Sequence, residues 1–466
     1  YNTDNATNGK IAYDAHVSFQ NLGDENWVSW LSTHYKGSGQ TETWKQLGDA
    51  NEVSNVVIVA VINESKPAAN VQDSDGYHWT QYGAETDADF VMTVTNVVTG
   101  ASYDFDDTQY GALIHTGSIT VPAANYSSFL KKTSGEDLLA SICIGVELAV
   151  TLASVEKHMF HKKGFHATAL VGPFSSSLIY SYLNGYSKNK AIDAFGIAGS
   201  FTSGNLSFLN SGDNTKIVHP GWASFSGCKA TEITNYSVTG SESIFEDNNG
   251  FFSLYSNVEN VSKKIKTNVD DYEIKKVNFK PYPICQLNIA SIRLLEDLDI
   301  AIDTNTIDKV TVYLPEDSYD IVALDKDSKS NPQSPYEAKF SIYWTLAFYL
   351  LKKELNVDSF EQNYLNDSQI SNLANKIEIE QIKHTEDAAS VKGKVEIFYT
   401  DKRSKVYTEK NPNNSITDSE KVLNKFYQNT NLPTESKILD ELINIQDSDD
   451  AGKIIKGVIS ECIKKY

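Results

Sequence analysis

The sequence predicts a mostly α protein with an α+β second domain, that is, an all-helical bundle domain and a smaller α+β lid domain. Between residues 134 and 204, apolar helical segments follow one another with short joints, a pattern typical of helical bundles. From about residue 274 the pattern changes to a strand, a long helix and a hairpin. We therefore place the helical domain at 1–273, completed by 408–466, and the lid domain at 274–407.

Three helices are predicted in the first domain. Ser134-Gly-Glu-Asp137 matches a capping box before an apolar helix at 138–154. A second helix spans about 166–184 and ends at Gly185, because glycine tolerates the left-handed conformation that ends many helices. A third helix opens near Ser187. Its glycines would each cost about 1 kcal/mol in a helix interior, so we expect helices or a ligand to approach the backbone closely at Gly196, Gly199 and Gly204.

The second domain carries signals of both strand and helix. Residues 307–314 alternate apolar and polar side chains, as a half-buried strand does. Residues 336–353 predict one long apolar helix, and 394–399 with 405–408 predict a hairpin. After Pro412 the chain is helical again, and we expect the last helix to dock on the first domain. Residues 1 to about 85 show no sustained helical period.

Composition argues against several classes of partner. The net charge of −20 is unsuited to nucleic acid, because phosphate binding needs a basic surface, and equally to an anionic membrane. The most apolar run, 138–153, is too short to span a bilayer and contains Glu147. If the substrate is anionic, the lysines that bind it must be concentrated in one pocket.

The cysteines indicate a reducing compartment. Cys143, Cys228, Cys285 and Cys462 are far apart, and no Cys-x-x-Cys pair suggests zinc or a redox motif. We expect free thiols and, with no signal-peptide pattern at the start, an intracellular protein, cytoplasmic or in the mitochondrial matrix.

An acidic turn is the first candidate site. Asp104, Asp106 and Asp107 are followed by Thr108 and, eight residues after Asp107, by His115. The turn by itself could be a magnesium site or simply a capped loop. A carboxylate beside a histidine can fix the imidazole tautomer and raise its basicity, so the combination favours an acid–base role for His115.

Further histidines and lysines extend this candidate site. His166 lies at a predicted helix start, where the helix dipole favours bound anions, although a lone histidine can also be structural. Lys216 and His219 are three residues apart, a spacing that puts both on one side of a helical turn. The alternative for them is an exposed lysine and a capping histidine. Lys280 is held between Phe279 and two prolines in a rigid segment, or is a solvated strand-end lysine.

Other chemistries fit less well. No Gly-x-Ser-x-Gly elbow, phosphate-binding loop, dinucleotide fingerprint or His-Glu-x-x-His motif occurs. His158 and His161 form a His-x-x-His pair, but charged neighbours favour a solvated helix end over a metal site. Nothing near Cys285 in the sequence lowers its pKa, so we expect a packing role for its thiol.

Several motifs in order resemble the MmgE/PrpD family, which includes 2-methylcitrate dehydratase, cis-aconitate decarboxylase and iminodisuccinate epimerase. The resemblance covers about 83–252 and continues more loosely into the second domain. The segments that carry it are Tyr103-Asp-Phe-Asp-Asp-Thr, His115-Thr-Gly-Ser, Gly164-Phe-His, Ala194-Phe-Gly-Ile-Ala-Gly-Ser, Lys216-Ile-Val-His-Pro-Gly-Trp-Ala, Phe245-Glu-Asp-Asn-Asn-Gly-Phe, Lys280-Pro-Tyr-Pro-Ile-Cys and Glu337-Ala-Lys-Phe-Ser.

The resemblance implies a homodimer of two-domain subunits with a pocket between the domains, and a small polycarboxylate substrate. It implies chemistry without metal or coenzyme, so we expect no metal site and no cofactor. The pocket would be lined by the matched positions, which are Asp104, Thr108, His115, His166, Lys216 and Lys280.

The chain departs from the family pattern at several positions. Animal decarboxylases have histidine where Cys285 stands, whereas fungal ones have cysteine. Many members have histidine at the position of Ile289, and some have tyrosine where Trp344 aligns, next to Tyr343. The resemblance adds Thr108, His219, Cys285 and Tyr343 as expected substrate-binding positions, so a packing role and a binding role both stay open for Cys285.

The resulting hypothesis is a lyase, a decarboxylase or a dehydratase. Lys216 and Lys280 would clamp substrate carboxylates. His115, oriented by Asp104 or its neighbours, and His166 would act as acid and base at the carbon next to a carboxylate. The alternatives are an epimerase of the same family, a non-catalytic dimer that binds a polycarboxylate, and a metal-dependent hydrolase that uses the acidic turn.

Overall fold

The computed structural model describes residues 104–265, 272–296, 302–384, 390–409, 419–430 and 437–463. The region up to residue 85 lies outside these ranges. Residue 462 belongs to the last described helix, but its side chain is not described. Over the described residues the protein is mostly helical with a small mixed sheet, which confirms the predicted fold class at that level. None of the described helices combines the length and apolar character needed to cross a membrane.

In the first part of the described chain, helices and one short strand are separated by loops. Its elements are β1 (Thr108–Gln109), α1 (Gly117–Leu130), α2 (Gly135–Ala153), α3 (Met159–Lys162), α4 (Ala167–Asn184), α5 (Lys188–Gly199), α6 (Phe208–Ser211), α7 (Val218–Ile233), α8 (Phe251–Tyr255) and α9 (Val261–Lys264).

The second part mixes helices and strands and ends in three helices. Its elements are β2 (Val277–Asn278), α10 (Gln286–Glu296), β3 (Ile307–Pro315), α11 (Glu316–Val322), α12 (Lys326–Ser330), α13 (Pro335–Lys339), α14 (Ile342–Lys352), α15 (Gln362–Leu365), α16 (Ser368–Asn375), β4 (Ile377–Ile382), β5 (Lys394–Tyr399), β6 (Ser404–Thr408), α17 (Ser419–Thr430), α18 (Lys437–Ile443) and α19 (Ala451–Ile463).

The three helices predicted in the first part are present as α2, α4 and α5. The hydroxyl of Ser134 accepts a hydrogen bond from the amide of Asp137 and caps α2, and Ser187 caps α5 in the same way. Gly185 ends α4 with φ 72°. The predicted close approach at Gly196 is confirmed, because a Cβ there would lie 2.1 Å from the amide nitrogen of Ser241.

The sheet lies in the second part with strand order β4-β3-β5-β6. β3 runs parallel to β4 and antiparallel to β5, and β5 and β6 form the predicted antiparallel hairpin. β3 covers the predicted strand, but its alternation is only partial: Val310 and Val312 are fully buried and Lys309 and Tyr313 partly exposed, whereas Thr311 is buried as well. The buried face of the sheet joins one hydrophobic cluster with α10, α14 and α16.

One helix prediction was wrong. Residues 336–353 do not form a single helix but two, α13 and α14, which are separated at Phe340 and Ser341. The backbone of Ser341 is extended, and its hydroxyl accepts a hydrogen bond from the amide of Trp344. An N-terminal cap of this kind starts a new helix, so the apolar sequence bends here instead of continuing straight.

The last helix, α19, packs against α1 in the first part of the chain. Ile455 joins a hydrophobic cluster with Ala123 and Ala124 of α1, and the amide of Ala451 donates to the carbonyl oxygen of Thr133 at 2.9 Å. The predicted docking of the C-terminal helix on the helical part is therefore confirmed.

Candidate active site

A pocket of about 500 Å³, including the open space at its mouth, contains most of the residues singled out in the sequence. Its wall combines titratable groups with apolar side chains from both parts of the described chain. The described residues that line it are Asp104, Thr108, Leu113, His115, His161, His166, Leu206, Phe208, Leu209, Lys216, Lys280, Cys285, Gln286, Leu287, Ile321 and Phe340.

Asp104 joins the two lysines at the base of this pocket. Nζ of Lys216 lies 2.5 Å from Oδ1 of Asp104, and Nζ of Lys280 lies 3.0 Å from both Oδ2 and the backbone oxygen. Burial alone would raise the pKa of Asp104, but Lys216 and Lys280 outweigh it and hold that pKa well below its usual value. The same pairing outweighs burial at Lys216 and raises its pKa. Asp104 and Lys216 are therefore charged at neutral pH.

A two-stranded pairing brings these distant residues together. Thr108 pairs with Asn278, and Gln109 with Val277, in the antiparallel ladder of β1 and β2. The acidic turn therefore lies beside the segment that leads into Lys280, which is almost fully buried at 1% exposure. The solvated strand-end alternative for Lys280 was wrong, because the Asp104 carboxylate satisfies its ammonium inside the protein.

His115 is oriented by the backbone of the acidic turn. Its Nδ1 lies 2.7 Å from the carbonyl oxygen of Asp107, 3.3 Å from Oγ1 of Thr108 and 3.3 Å from Oδ2 of Asp106. A carbonyl oxygen can only accept, so Nδ1 must carry the hydrogen. In the neutral ring Nε2 then holds the free electron pair. Burial, only partly offset by Asp106, lowers the pKa of His115 to about 4 and keeps the ring neutral at pH 7.

The carboxylate of Asp107 has a different task from those of its neighbours. It accepts hydrogen bonds from the hydroxyl of Thr116 at 2.6 Å and from the amide of Gly117 at 2.8 Å. These groups lie at the start of α1, so Asp107 caps that helix and fixes the segment that follows His115. The capped-loop interpretation therefore holds for Asp107, whereas Asp104 and Asp106 face the lysines and His115.

His166 and His219 form a second pair of imidazoles. Their Nδ1 atoms lie 3.1 Å apart, so one ring donates to the other. His166 precedes α4, as predicted, and its ring centroid lies 6.1 Å from that of His115. Burial, followed by the charge of a protonated His219, lowers the pKa of His166 well below its usual value. His219 supports His166 from behind and is not among the described residues that line the pocket.

Gly204 permits this histidine pair. Its φ of 111° is strained for any other residue, and a Cβ there would lie 2.5 Å from Cβ of Ala169 and 3.4 Å from the ring of His219. The carbonyl oxygen of Gly204 accepts a hydrogen bond from the amide of His166 at 3.1 Å. The close approach predicted at Gly204 therefore lies beside the site.

The remaining predicted substrate-binding residues differ in position. Cys285 lines the pocket, and burial raises the pKa of its thiol. Tyr343 is buried in α14, and its hydroxyl donates to the carbonyl oxygen of Ala323 at 3.1 Å. Ile289 and Trp344, the departures from the family pattern, are fully buried. Tyr343, Ile289 and Trp344 are not among the described residues that line the pocket.

Two polar residues of the pocket were missed in the sequence. His161 was assigned with His158 to a solvated helix end, which was wrong: His158 is buried, and His161 is half-buried and lines the pocket. The charged neighbours are solvated, but Met159 and Phe160 insert into the core and turn the histidines inward. Gln286 was not considered, and its amide nitrogen donates to the hydroxyl of Tyr110 at 3.0 Å. Only the His-x-x-His spacing signalled either residue.

Over the described ranges, no group of three or more His, Cys, Asp or Glu side chains is arranged to hold a metal ion. The carboxylates of the acidic turn instead contact lysine, histidine and a helix start.

The described fold is mostly helical, and its pocket combines a pair of histidines with two lysines on one buried carboxylate. Residues 81–264 match the MmgE/PrpD N-terminal domain, and residues 283–447 match the MmgE/PrpD C-terminal domain. The chain belongs to the MmgE/PrpD family, which confirms the resemblance seen in its motifs.

Two curated relatives share part of the sequence. Cis-aconitate decarboxylase of Mus musculus is 26% identical over 298 residues, and that of Homo sapiens is 26% identical over 295 residues. The matched regions cover 61% and 60% of this chain and 59% of each relative, so the chain spans about three-fifths of their length.

Proposed function

We propose that the protein is an MmgE/PrpD-type lyase, a decarboxylase or a dehydratase, that acts on a small di- or tricarboxylic acid. The chemistry is acid–base catalysis at the carbon next to a carboxylate, with no cofactor. One observation carries the proposal: the hydrogen bond from Nδ1 of His115 to the Asp107 carbonyl oxygen leaves Nε2 of a neutral, pocket-lining imidazole free to accept a proton.

Removal of a proton from such a carbon places negative charge on the adjacent carboxylate, as an enolate. Lys216 and Lys280 lie in the pocket wall to stabilise this charge. Each ammonium has three hydrogens. One from Lys216 is directed at Asp104, so that pair holds Lys216 in place and leaves it donors for a substrate. Lys280 directs two hydrogens at Asp104, to its Oδ2 and to its backbone oxygen.

His166 is the second acid–base group. Its ring lies 6.1 Å from that of His115, a separation that leaves room for a substrate carbon to be approached from two directions. In a dehydration, His115 removes the proton, and His166, which must enter this step protonated, gives its proton to the departing hydroxyl, which leaves as water. In a decarboxylation, the carbon–carboxylate bond breaks, CO2 leaves, the electron pair stays on the carbon, and an imidazole that has taken up a proton from solvent gives it to that carbon. Each proton transfer contributes roughly 10²–10⁴-fold in rate.

An epimerase is the second candidate, and the two-histidine arrangement supports it. One imidazole would remove a proton from one face of the carbon, and the other would return a proton to the opposite face. The active form in the proposal is a homodimer inside the cell, and light scattering should give about twice the 51.7 kDa of one chain.

The experiment that tests the proposal follows cis-aconitate, 2-methylcitrate and iminodisuccinate separately by proton NMR with the purified protein. Conversion of one of them, unaffected by a chelator, supports the proposal and identifies the reaction. Loss of activity with chelator supports a metal-dependent enzyme instead. If none is converted but one binds, the protein is a polycarboxylate-binding family member without turnover, and the lyase proposal fails.

A further inference from the structure

His161 is the pocket group that the chemistry above leaves without a task. It lies in the one-turn helix α3 and lines the same pocket as His115, His166 and Lys216. Its Nδ1 is buried and, within the described parts of the chain, has no hydrogen-bond partner. Buried polar atoms are nearly always hydrogen-bonded, so an unsatisfied imidazole nitrogen in a pocket indicates a partner that arrives with the ligand.

The backbone holds His161 in this position. Gly164, with φ 81°, reverses the chain, and its amide donates to the carbonyl oxygen of His161 at 2.9 Å. On the inner side, Met159 and Phe160 are 4% and 1% exposed and anchor the turn in the core. The reversal brings His161 and His166, five residues apart, to one pocket. A side chain held by such a turn is preorganised for binding.

The positive charges of the pocket are already paired with carboxylates of the protein. The lysine ammoniums of Lys216 and Lys280 lie against the carboxylates of Asp104 and Asp106, so the four charges cancel. His115 is neutral at pH 7, because burial lowers its pKa to about 4. An acid with two or three carboxylates therefore needs hydrogen-bond donors beyond the lysines. An imidazole N–H directed at a carboxylate is such a donor.

We infer that His161 is a substrate-binding residue that determines specificity for polycarboxylic acids by donating a hydrogen bond from Nδ1 to a carboxylate of the bound acid. The inference rests on the proposed function. It assigns no acid–base step to His161.

The test uses tricarballylate, a saturated tricarboxylate with neither a hydroxyl group nor a double bond to react, and measures its Kd at pH 7 by calorimetry. In His161→Asn the amide nitrogen occupies nearly the place of Nδ1, whereas His161→Phe keeps the ring shape and removes the donor. We expect His161→Phe to weaken binding about tenfold or more and His161→Asn to stay within about threefold of wild type.

His158→Asn is the matched control. His158 lies in the same turn with φ 54°, a conformation that asparagine tolerates, and its ring faces Asp317, with Nδ1 3.8 Å from Oδ2. This variant should bind tricarballylate as wild type does, and thermal unfolding should show that all three variants are folded.

Two results would overturn the inference while leaving the proposed function intact. One is wild-type affinity in His161→Phe. The other is an equal loss in His158→Asn, which would trace the effect to the turn. If the wild-type protein binds no tricarballylate and converts none of the three candidate acids, the proposed function fails and the inference fails with it.

Discussion

The carboxylate of Asp104 and the ammonium of Lys280 form a buried ion pair, 3.0 Å between Oδ2 and Nζ, although 176 residues separate them in the chain. Lys216 binds the other carboxylate oxygen. One carboxylate therefore ties together three chain segments beneath the pocket.

Replacing Asp104 with alanine should destabilise the protein strongly. The change leaves two buried ammoniums without their main counterion, and breaking a buried ion pair in this way costs about 3–5 kcal/mol. Urea unfolding would measure the loss. The control is Glu378→Gln, which breaks the exposed pair of Lys309 and Glu378 and should cost less than about 1 kcal/mol. Equal losses in the two variants would contradict a structural role for Asp104.

Replacing His115 with asparagine should abolish most activity and spare the fold. The asparagine amide can keep the hydrogen bond to the Asp107 carbonyl oxygen but provides no nitrogen able to accept a proton. We expect kcat to fall roughly 10²–10⁴-fold, with the thermal midpoint close to that of wild type. Full activity in this variant would rule out His115 as the base.

Acidification should destabilise the protein before its carboxylates titrate. The pKa of His115 is about 4 in the folded protein and 6.5 as its ordinary value, because burial disfavours the charged ring. Between these values the unfolded chain binds a proton that the folded protein does not, so stability falls as the pH drops. Burial also lowers the pKa of His219 to about 4, and this adds to the effect.

From pH 7 to pH 5, His115 alone should account for a loss of about 2 kcal/mol in the free energy of unfolding. Denaturant unfolding at several pH values would measure this slope in wild type and in His115→Asn. The variant should show a shallower dependence, because one of the titrating groups is gone. Identical slopes would mean that His115 has a similar pKa in the folded and unfolded states.

Replacing Tyr343 with phenylalanine separates a binding role from a structural one. Its hydroxyl donates to the carbonyl oxygen of Ala323, and neither residue is among the described residues that line the pocket. We expect a stability loss of about 1 kcal/mol and an unchanged KM. A raised KM with unchanged stability would instead support the substrate-binding role predicted from the family pattern.

Local features were predictable from the sequence. Ser134 marks the start of α2 and Gly185 the end of α4, through a hydrogen bond and a backbone conformation that involve only the nearest residues. The hairpin of β5 and β6 pairs neighbouring segments, so a short sequence window contains both partners. The split at Ser341 was missed because the capping serine lies inside an otherwise continuous apolar run.

The functional groups were recognised from residue types and motif order. The sequence did not show, however, which aspartate of the acidic turn contacts which group. Asp106 and Asp107 are adjacent, yet one carboxylate faces His115 and the other caps α1.

The sequence by itself determined the family, the fold class and the set of histidines and lysines, because these depend on local pattern and residue identity. Tertiary structure alone decided that both lysines meet on Asp104. Lys216 and Lys280 follow Asp104 by 112 and 176 residues in the chain, so the contact requires the pairing of β1 with β2 and the burial of all three side chains. It also decided that His161 faces the pocket. Its charged neighbours in the sequence predicted a solvent-exposed side chain. The burial of Met159 and Phe160 instead orients the turn so that His161 lines the pocket.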